Sequence, residues 1–409
     1  SFAMAESFDQ QVESLVRPLA NGLANIVFYK IELLGQPFPL IVLWLAVAAL
    51  FFTFYMGFIN IRGFGLALRH VRGHFHNPAA RGEISHFQAV ATAVSGTVGI
   101  GNIGGVAVAI VIGGPGAAFW LIVAGFLSMS TKLVECTLGV KYRKHNADGS
   151  VSGGPMYYLE SYLADRGAPR WGKWLGGFYA LSLVIGCLGI GNMFQSNQAY
   201  VQFVVITGGE QSFFADKGWL FGLAIAAAVA VVIIGGIRSI ARVAGHIVPF
   251  MAVLYVISAV IIIAMSYQQI PGAIALIIGS AFSMESATGG MVGAIIVGFQ
   301  RALFSNEAGI GSASIAHSAV QTDEPASEGL VSLLEPFIDT VVICTLSSLV
   351  IVTTAYPYGI IDTGLEGIAL TSASFEHHIS WAPYPLAVAA LLFAFSTSIA
   401  WSYYCLLYT

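Results

Sequence analysis

The sequence predicts an all-α polytopic membrane protein in which two of the membrane-spanning helices are broken. Three observations carry that expectation. Of 409 residues, 57% are hydrophobic and only 9% are charged, whereas a soluble domain carries about 25% charged residues. The apolar residues fall in runs long enough to cross a bilayer. Two of those runs are interrupted near their middles by glycines and polar residues, one at 95–105 and one at 304–312.

The chain divides into an N-terminal segment, 1–36, and a transmembrane domain, 37–409. In the first part, Val12, Leu15, Val16, Leu19, Leu23 and Ile26 recur at helical spacing. That pattern predicts an amphipathic helix on the membrane surface. The first crossing is expected at about 38–59, opened by Pro37 and Pro39 and carrying Trp44 and Tyr55. The loop 60–83 is basic. Its His70, His74 and His76 have a spacing that invites a metal, but no cysteine or fixed acid accompanies them, so they are read as a solvated face.

The first broken span covers about 84–112 and ends in the turn Gly113-Gly-Pro-Gly116. A third crossing runs over 117–140, followed by a second basic loop with Lys141, Arg143, Lys144, Arg166, Arg170 and Lys173. Further crossings are expected near 174–206, 219–236 and 245–266. The apolar run 271–282 is too short to span and predicts a re-entrant or interfacial helix. The seventh crossing, 288–317, holds the second interruption. The eighth covers 330–355, an aromatic loop covers 356–384, and a ninth crossing starts near 385. Lys and Arg counts orient the chain. With the N-terminus outside, the inner loops hold twelve basic residues and the outer segments only Arg17, Lys30 and Lys217.

Glycine is about 1 kcal/mol worse than alanine inside a helix, and Gly96, Gly99, Gly101, Gly104 and Gly105 crowd the first interruption. Backbone that unwinds at membrane depth must be buried in protein or line a cavity. Half-helix ends then attract charge, anions at N-termini and cations at C-termini, which is the layout of a transporter site. At the first break Thr97 and Asn102 bring polar side chains, while Ser95, Val98 and Gly101 offer bare backbone. At the second, Ser305, Asn306 and Glu307 stand beside Gly309 and Gly311. A charge at the bilayer centre costs about 3 kcal/mol or more, so Glu307 either contacts substrate or ion, or holds the break open. Ser396 and Thr397 in the last helix either add oxygens to an ion site or bond back to the preceding turn.

Other motifs carry less. Gly99-Ile-Gly-Asn-Ile-Gly104 matches a dinucleotide fingerprint, but no strand precedes it and no acid follows at the required distance. Cys136, Cys187, Cys344 and Cys405 lie in apolar spans and fit no zinc or redox spacing. Lys132 and Glu135 form an i, i+3 pair, Glu335 and Asp339 read as caps or loop anchors, and Arg301 is positioned to pair with Glu307 or another acid. There is no HExxH, no GxSxG and no paired catalytic acid, so an enzyme is not expected.

The runs Gly101-Asn-Ile-Gly-Gly-Val-Ala-Val-Ala-Ile-Val-Ile-Gly-Gly-Pro-Gly-Ala-Ala-Phe-Trp120, Gly153-Gly-Pro-Met-Tyr-Tyr158 and Leu303-Phe-Ser-Asn-Glu-Ala-Gly-Ile-Gly-Ser312 resemble the alanine or glycine:cation symporter family. Phe337-Ile-Asp-Thr-Val-Val-Ile-Cys344 and Trp401-Ser-Tyr-Tyr404 are similar to its later motifs. The resemblance runs from about residue 40 to the end. It implies import of small neutral amino acids, alanine or glycine, driven by sodium or protons across a bacterial plasma membrane. Neither a bound cofactor nor a nucleic-acid partner is implied.

It also implies an inverted five-helix-repeat fold whose two broken helices open the two repeats. The family usually has eleven crossings, so the last two helices are expected to be missing from a chain that ends after nine. The run 97–102 further resembles the unwound helix of neurotransmitter:sodium symporters. That similarity assigns substrate to Thr97, Gly99, Ile100, Gly101 and Asn102, facing Phe304, Ser305, Asn306 and Glu307. It assigns N–H groups of Ile100 and Gly101 to the substrate carboxylate. Sodium would take carbonyls of Ser95 and Val98, completed by Ser396 and Thr397. A passive channel or sensor on the same fold is the rival reading.

Overall fold

A computed structural model describes residues 8–33, 36–75, 77, 79–283 and 290–406. The N-terminal helix α1 (Phe8–Val27) leads into a strand pair, β1 (Lys30–Leu33) antiparallel to β2 (Gln36–Pro39), with Lys30 opposite Pro39. The sequence pattern extends helical character to residue 36; in the structure the strand pair replaces its end. Helix α2 (Leu40–Tyr55) follows, and Phe58 turns the chain in a left-handed conformation, φ 58°. Two short helices, Ile59–Arg62 and Phe64–Val71, occupy part of the expected basic loop.

The first broken span is α3 (His86–Thr97) and α4 (Gly104–Gly113), bent by 63° at the break. Ser85 starts α3 with a capping box: its hydroxyl accepts from Gln88 N, and the Gln88 side chain accepts from Ser85 N. This satisfies two of the donors that a helix start exposes. The next helices are α5 (Gly116–Lys141), α6 (Pro169–Ile206), α7 (Gly218–Ile233), α8 (Gly236–Met265) and the short α9 (Ile270–Phe282). Between α5 and α6 lie a small hairpin, β3 (Lys144–His145) with β4 (Val151–Ser152), and the helix Pro155–Asp165.

The second broken span is α10 (Gly290–Asn306) and α11 (Ala313–Ser318). Residues 284–289, which include the expected start of this span at 288, lie outside the described residues. Then come α12 (Pro325–Thr354), α13 (Gly367–His378) and α14 (Pro383–Leu406). Helix α13 lies inside what sequence alone marks as a loop; its Leu370, Thr371 and Ser374 are buried.

Among the described residues five helices, α5, α6, α8, α12 and α14, are long and apolar enough to cross a membrane, six with the bent pair α3–α4. The shorter apolar helices α2 and α7 join them. The most apolar windows of α5, α12 and α14 are 61–72% buried, and those of α6 and α8 only 28%. The first three therefore form the centre and the last two the rim. The rim shows its apolar side chains outward, Phe178, Leu181 and Ile185 on α6 and Phe250, Val253 and Ile257 on α8, as a lipid-facing surface requires. Small residues let the central helices touch. A Cβ on Gly298 of α10 would stand 2.8 Å from the Ala117 carbonyl and 2.9 Å from Leu121 N on α5, so these two helices meet backbone to backbone.

A chain of buried charges joins the central helices. Lys132 on α5 pairs with Glu135 at 3.2 Å and with Glu335 of α12 at 3.0 Å. Glu335 faces His317 of α11 at 3.7 Å, and His317 Nδ1 meets Glu328 at 2.5 Å. Glu328 in turn takes His86 at the start of α3. The pair Lys132–Glu135 was legible as local spacing; its long-range partners were not. The reading of Glu335 as a cap or anchor is corrected, since its carboxylate bonds a lysine on another helix. Removing one partner of a buried pair leaves an uncompensated charge and costs about 3–5 kcal/mol. Lys132→Met should therefore lower the melting temperature of the detergent-solubilised protein clearly, and an unchanged melt would show that the chain of charges does not hold these helices.

Candidate functional site

The first break is opened by the five N–H groups of residues 99–103, which leave the helical ladder. Gly99 N donates to Asn102 Oδ1 (2.9 Å) and Ile100 N to Gln195 Oε1 of α6 (3.1 Å). Asn102 N and Ile103 N bond back only three residues, to the carbonyls of Gly99 and Ile100. The carbonyls one full turn earlier lose their donors. Trp401 Nε1 takes up that of Gly96 at 3.2 Å. The carbonyl oxygens of Ser95, Thr97 and Val98 accept no hydrogen bond among the described residues, and Gly101 N finds no acceptor among them. The break thus holds three bare acceptors on the α3 side and a bare donor close to the start of α4.

Asn102 ties this break to the second one. Its Nδ2 reaches Asp339 Oδ1 of α12 at 2.6 Å and Ser305 Oγ of α10 at 3.0 Å. Ser305 Oγ donates to Asp339 Oδ2 at 2.8 Å, as does Thr340 Oγ1 at 2.6 Å. Ser347 of α12 donates to the Asn102 carbonyl at 2.7 Å, and Thr371 of α13 to that of Ile103 at 3.2 Å. The reading of Asp339 as a helix anchor is corrected: it is fully buried and touches both breaks. Its carboxylate receives neutral donors, and no ion pair to it occurs among the described residues.

At the second break the polar residues mostly serve the break itself. Glu307 adopts a left-handed φ of 57°, and Gly309 and Gly311 have φ of 89° and 88°. The Glu307 carboxylate accepts from Ser312 of the same break. Asn306 Oδ1 accepts from Ala308 N at 3.1 Å, and its Nδ2 donates to Thr340 Oγ1 at 3.0 Å. Gly309 N donates to Glu135 at 2.9 Å, joining the break to the buried charges. Arg301 forms no ion pair with Glu307 or with another acid among the described residues.

Phe304, like Ser305, turns from this break toward the first. Its ring stands 3.7 Å from where a Gly101 Cβ would lie and meets Phe194 of α6 edge to face at 6.2 Å. On the other flank of the first break is α14. Ser95 Oγ donates to the Ser396 carbonyl at 2.6 Å. The Ser396 hydroxyl faces the Phe393 carbonyl and the Met251 sulfur, away from the break. Thr97 bonds back to Ala93 at 3.3 Å. Thr397 Oγ1, by contrast, is buried and without a hydrogen-bond partner among the described residues. A Cβ on Gly99 would approach it to 3.0 Å, and Gln195 Oε1 to 2.9 Å. Only glycine leaves both groups in place there.

Gln195 escaped the sequence reading. It follows directly on a π-helical stretch of α6, Cys187–Phe194, and Asp339 lies in another, Phe337–Cys344 of α12. Such widened turns cluster at functional sites. The available signal was the polar run 195–198 in an apolar span.

Comparison with known proteins agrees on one family. The model of the sodium:alanine symporter family matches residues 22–407. The chain is 40% identical over 370 residues to the sodium/alanine symporter AgcS of Methanococcus maripaludis, covering 90% of this chain and 79% of that protein. It is 36% identical over 388 residues to the probable sodium/glutamine symporter GlnT of Bacillus subtilis, covering 94% and 75%. Among solved structures, MhsT in complex with L-phenylalanine shares the fold, with a TM-score of 0.56 at 17% identity over 79% of this chain and 73% of that one.

Replacing Asn102 by Ala removes the cap on Gly99 N and both links to the second break. A lost cap costs about 1 kcal/mol, or roughly a fivefold shift in local opening. Amide exchange over the peptide 96–106 should quicken by about that factor or more in Asn102→Ala, and exchange at the wild-type rate would show that Asn102 does not hold the break.

Proposed function

We propose, from the premise that the chain belongs to the sodium:alanine symporter family, that it couples sodium entry to the import of small neutral amino acids, alanine and glycine, by alternating access. Membership makes it an amino-acid:cation symporter; sodium, these substrates and the residues are our reading. The observation that carries it is the polarity of the first break. Bare carbonyls of Ser95 and Val98 and the unpartnered Thr397 hydroxyl lie on one side, and the free Gly101 N–H on the other. Hard cations take oxygen ligands, so the first set suits sodium. The free N–H at the edge of α4 suits a carboxylate.

The substrate lies between Gly101, Asn102 and Ser305, with Phe304 over it. Gln195, now on the Ile100 N–H, yields that group to the incoming carboxylate or binds the substrate directly. Thr97, Gly99, Asn306 and Glu307 shape the site from its backbone side, and Ser396 contributes through the helix it shares with Thr397. Asp339, a carboxylate without a counter-ion between the breaks, adds negative potential that draws a cation inward. The Phe304 ring, 3.7 Å from where a Gly101 Cβ would lie, is the group that limits side-chain size in this reading. The protein spans a bacterial plasma membrane with its N-terminus outside. The helices from α3 and from α10 open two inverted five-helix units.

Labelled alanine should accumulate in proteoliposomes under an inward sodium gradient and not when potassium replaces sodium; equal uptake in both would overturn sodium coupling. Thr397→Ala should raise the half-saturating sodium concentration about tenfold or more, by analogy with the loss of a supporting metal partner. An unshifted sodium curve would remove Thr397 from the ion site.

A further inference from the structure

One charge is left unexplained by the transport reading. Arg301 lies on α10 one turn before Ser305, about 6 Å along the helix from the second break. Its guanidinium is partly buried, carries five donors and no acceptor, and has no hydrogen bond or ion pair among the described residues. A desolvated cation without an anion is costly, so its retention asks for a partner that comes and goes. Arg301 lines a cavity of about 330 Å³ together with Gly104, Gly105, Phe194, Gln198, Phe304 and Glu366.

The lining is that of a site for a zwitterion. Arg301 supplies a fixed cation, and the first turn of α4 adds its N–H groups and the positive end of its dipole. The exposed Glu366, on the segment that leads into α13, supplies an anion. Phe194 and Phe304 meet edge to face in the same lining, and the Phe304 ring also stands 3.7 Å from where a Gly101 Cβ would lie. The Phe304 ring therefore borders both the cavity and the first break.

We propose that this cavity is a second, outer binding site, where a zwitterionic amino acid is held before it passes Phe304, with its carboxylate on Arg301 and its ammonium toward Glu366. The proposal rests on the transport reading. It explains why a guanidinium stands so close to the breaks while Glu307 is engaged by Ser312. Charges of both signs in a concave mouth raise the local concentration of a dipolar substrate and its rate of entry.

The test compares R301Q, R301K and E366Q in the full chain with the unaltered protein. The half-saturating external alanine concentration for uptake should rise about tenfold in R301Q, less in E366Q, and partly recover in R301K. Equilibrium binding of alanine to the high-affinity site in detergent, with saturating sodium, should change by less than twofold. A R301Q protein with an unchanged uptake curve overturns the outer site. So does a parallel loss of equilibrium binding and uptake, which would put Arg301 in the central site. Glu366 is exposed and outside the packed helices, so E366Q decides the matter if R301Q does not fold: an unchanged curve there also overturns the proposal. The unaltered chain's sodium-driven uptake is the separate measure of the transport reading, which keeps the two failures apart.

Discussion

The structure depends on one constraint: backbone that leaves the helix inside a bilayer must find its hydrogen-bond partners within the protein. The first break meets it with side chains from four other helices. Gln195 of α6, Ser347 of α12, Thr371 of α13 and Trp401 of α14 each take one freed group of 96–103. The break is thus the point on which the bundle converges. The groups that no side chain satisfies are then the informative ones, because they are where a charged or polar solute gains most by arriving.

Asn102 serves both the first break and its link to the second. Its side-chain oxygen caps Gly99 within the break, and its nitrogen reaches Ser305 and Asp339 across the bundle. The first break is therefore joined to the second through one amide and one hydroxyl. The second break is connected in turn, through Gly309 and Glu135, to the buried run of Lys132, Glu335, His317, Glu328 and His86. Buried charges contribute less to stability than hydrophobic packing of equal volume, yet each is expensive to orphan. They consequently hold α3, α5, α11 and α12 in one arrangement.

The two faces of the first break differ in what they offer. Toward α14 lie carbonyls and the Thr397 hydroxyl, all oxygen. Toward α4 and Phe304 lie a donor, a helix start and a cavity with Arg301 at its wall. A few residues of unwound chain thus separate an oxygen-rich surface from a nitrogen-rich one, which is the arrangement the proposed coupling of cation and amino acid requires.

The sequence by itself determined the class of fold, the positions of the two breaks and the family, because hydropathy over about twenty residues and clusters of glycine are local signals. The resemblance of 97–102 to an unwound symporter helix pointed to Ser95, Val98, Ser396 and Thr397 alike, without separating them. Only the tertiary structure decided which groups remain unpaired. Thr97 and Ser396 look as polar as Thr397 in the sequence, yet their hydroxyls are turned to nearby acceptors on their own helices while that of Thr397 is not. The reach of Gln195 to Ile100, of Asp339 to Asn102 and of Glu335 to Lys132 has no local mark, since these partners lie 95 to more than 200 residues away. Nor could spacing show that Arg301 and Glu307, six residues apart, would face different surroundings. A hydrogen bond is set by where two atoms meet in space, and in a bundle of crossing helices that meeting is decided by packing.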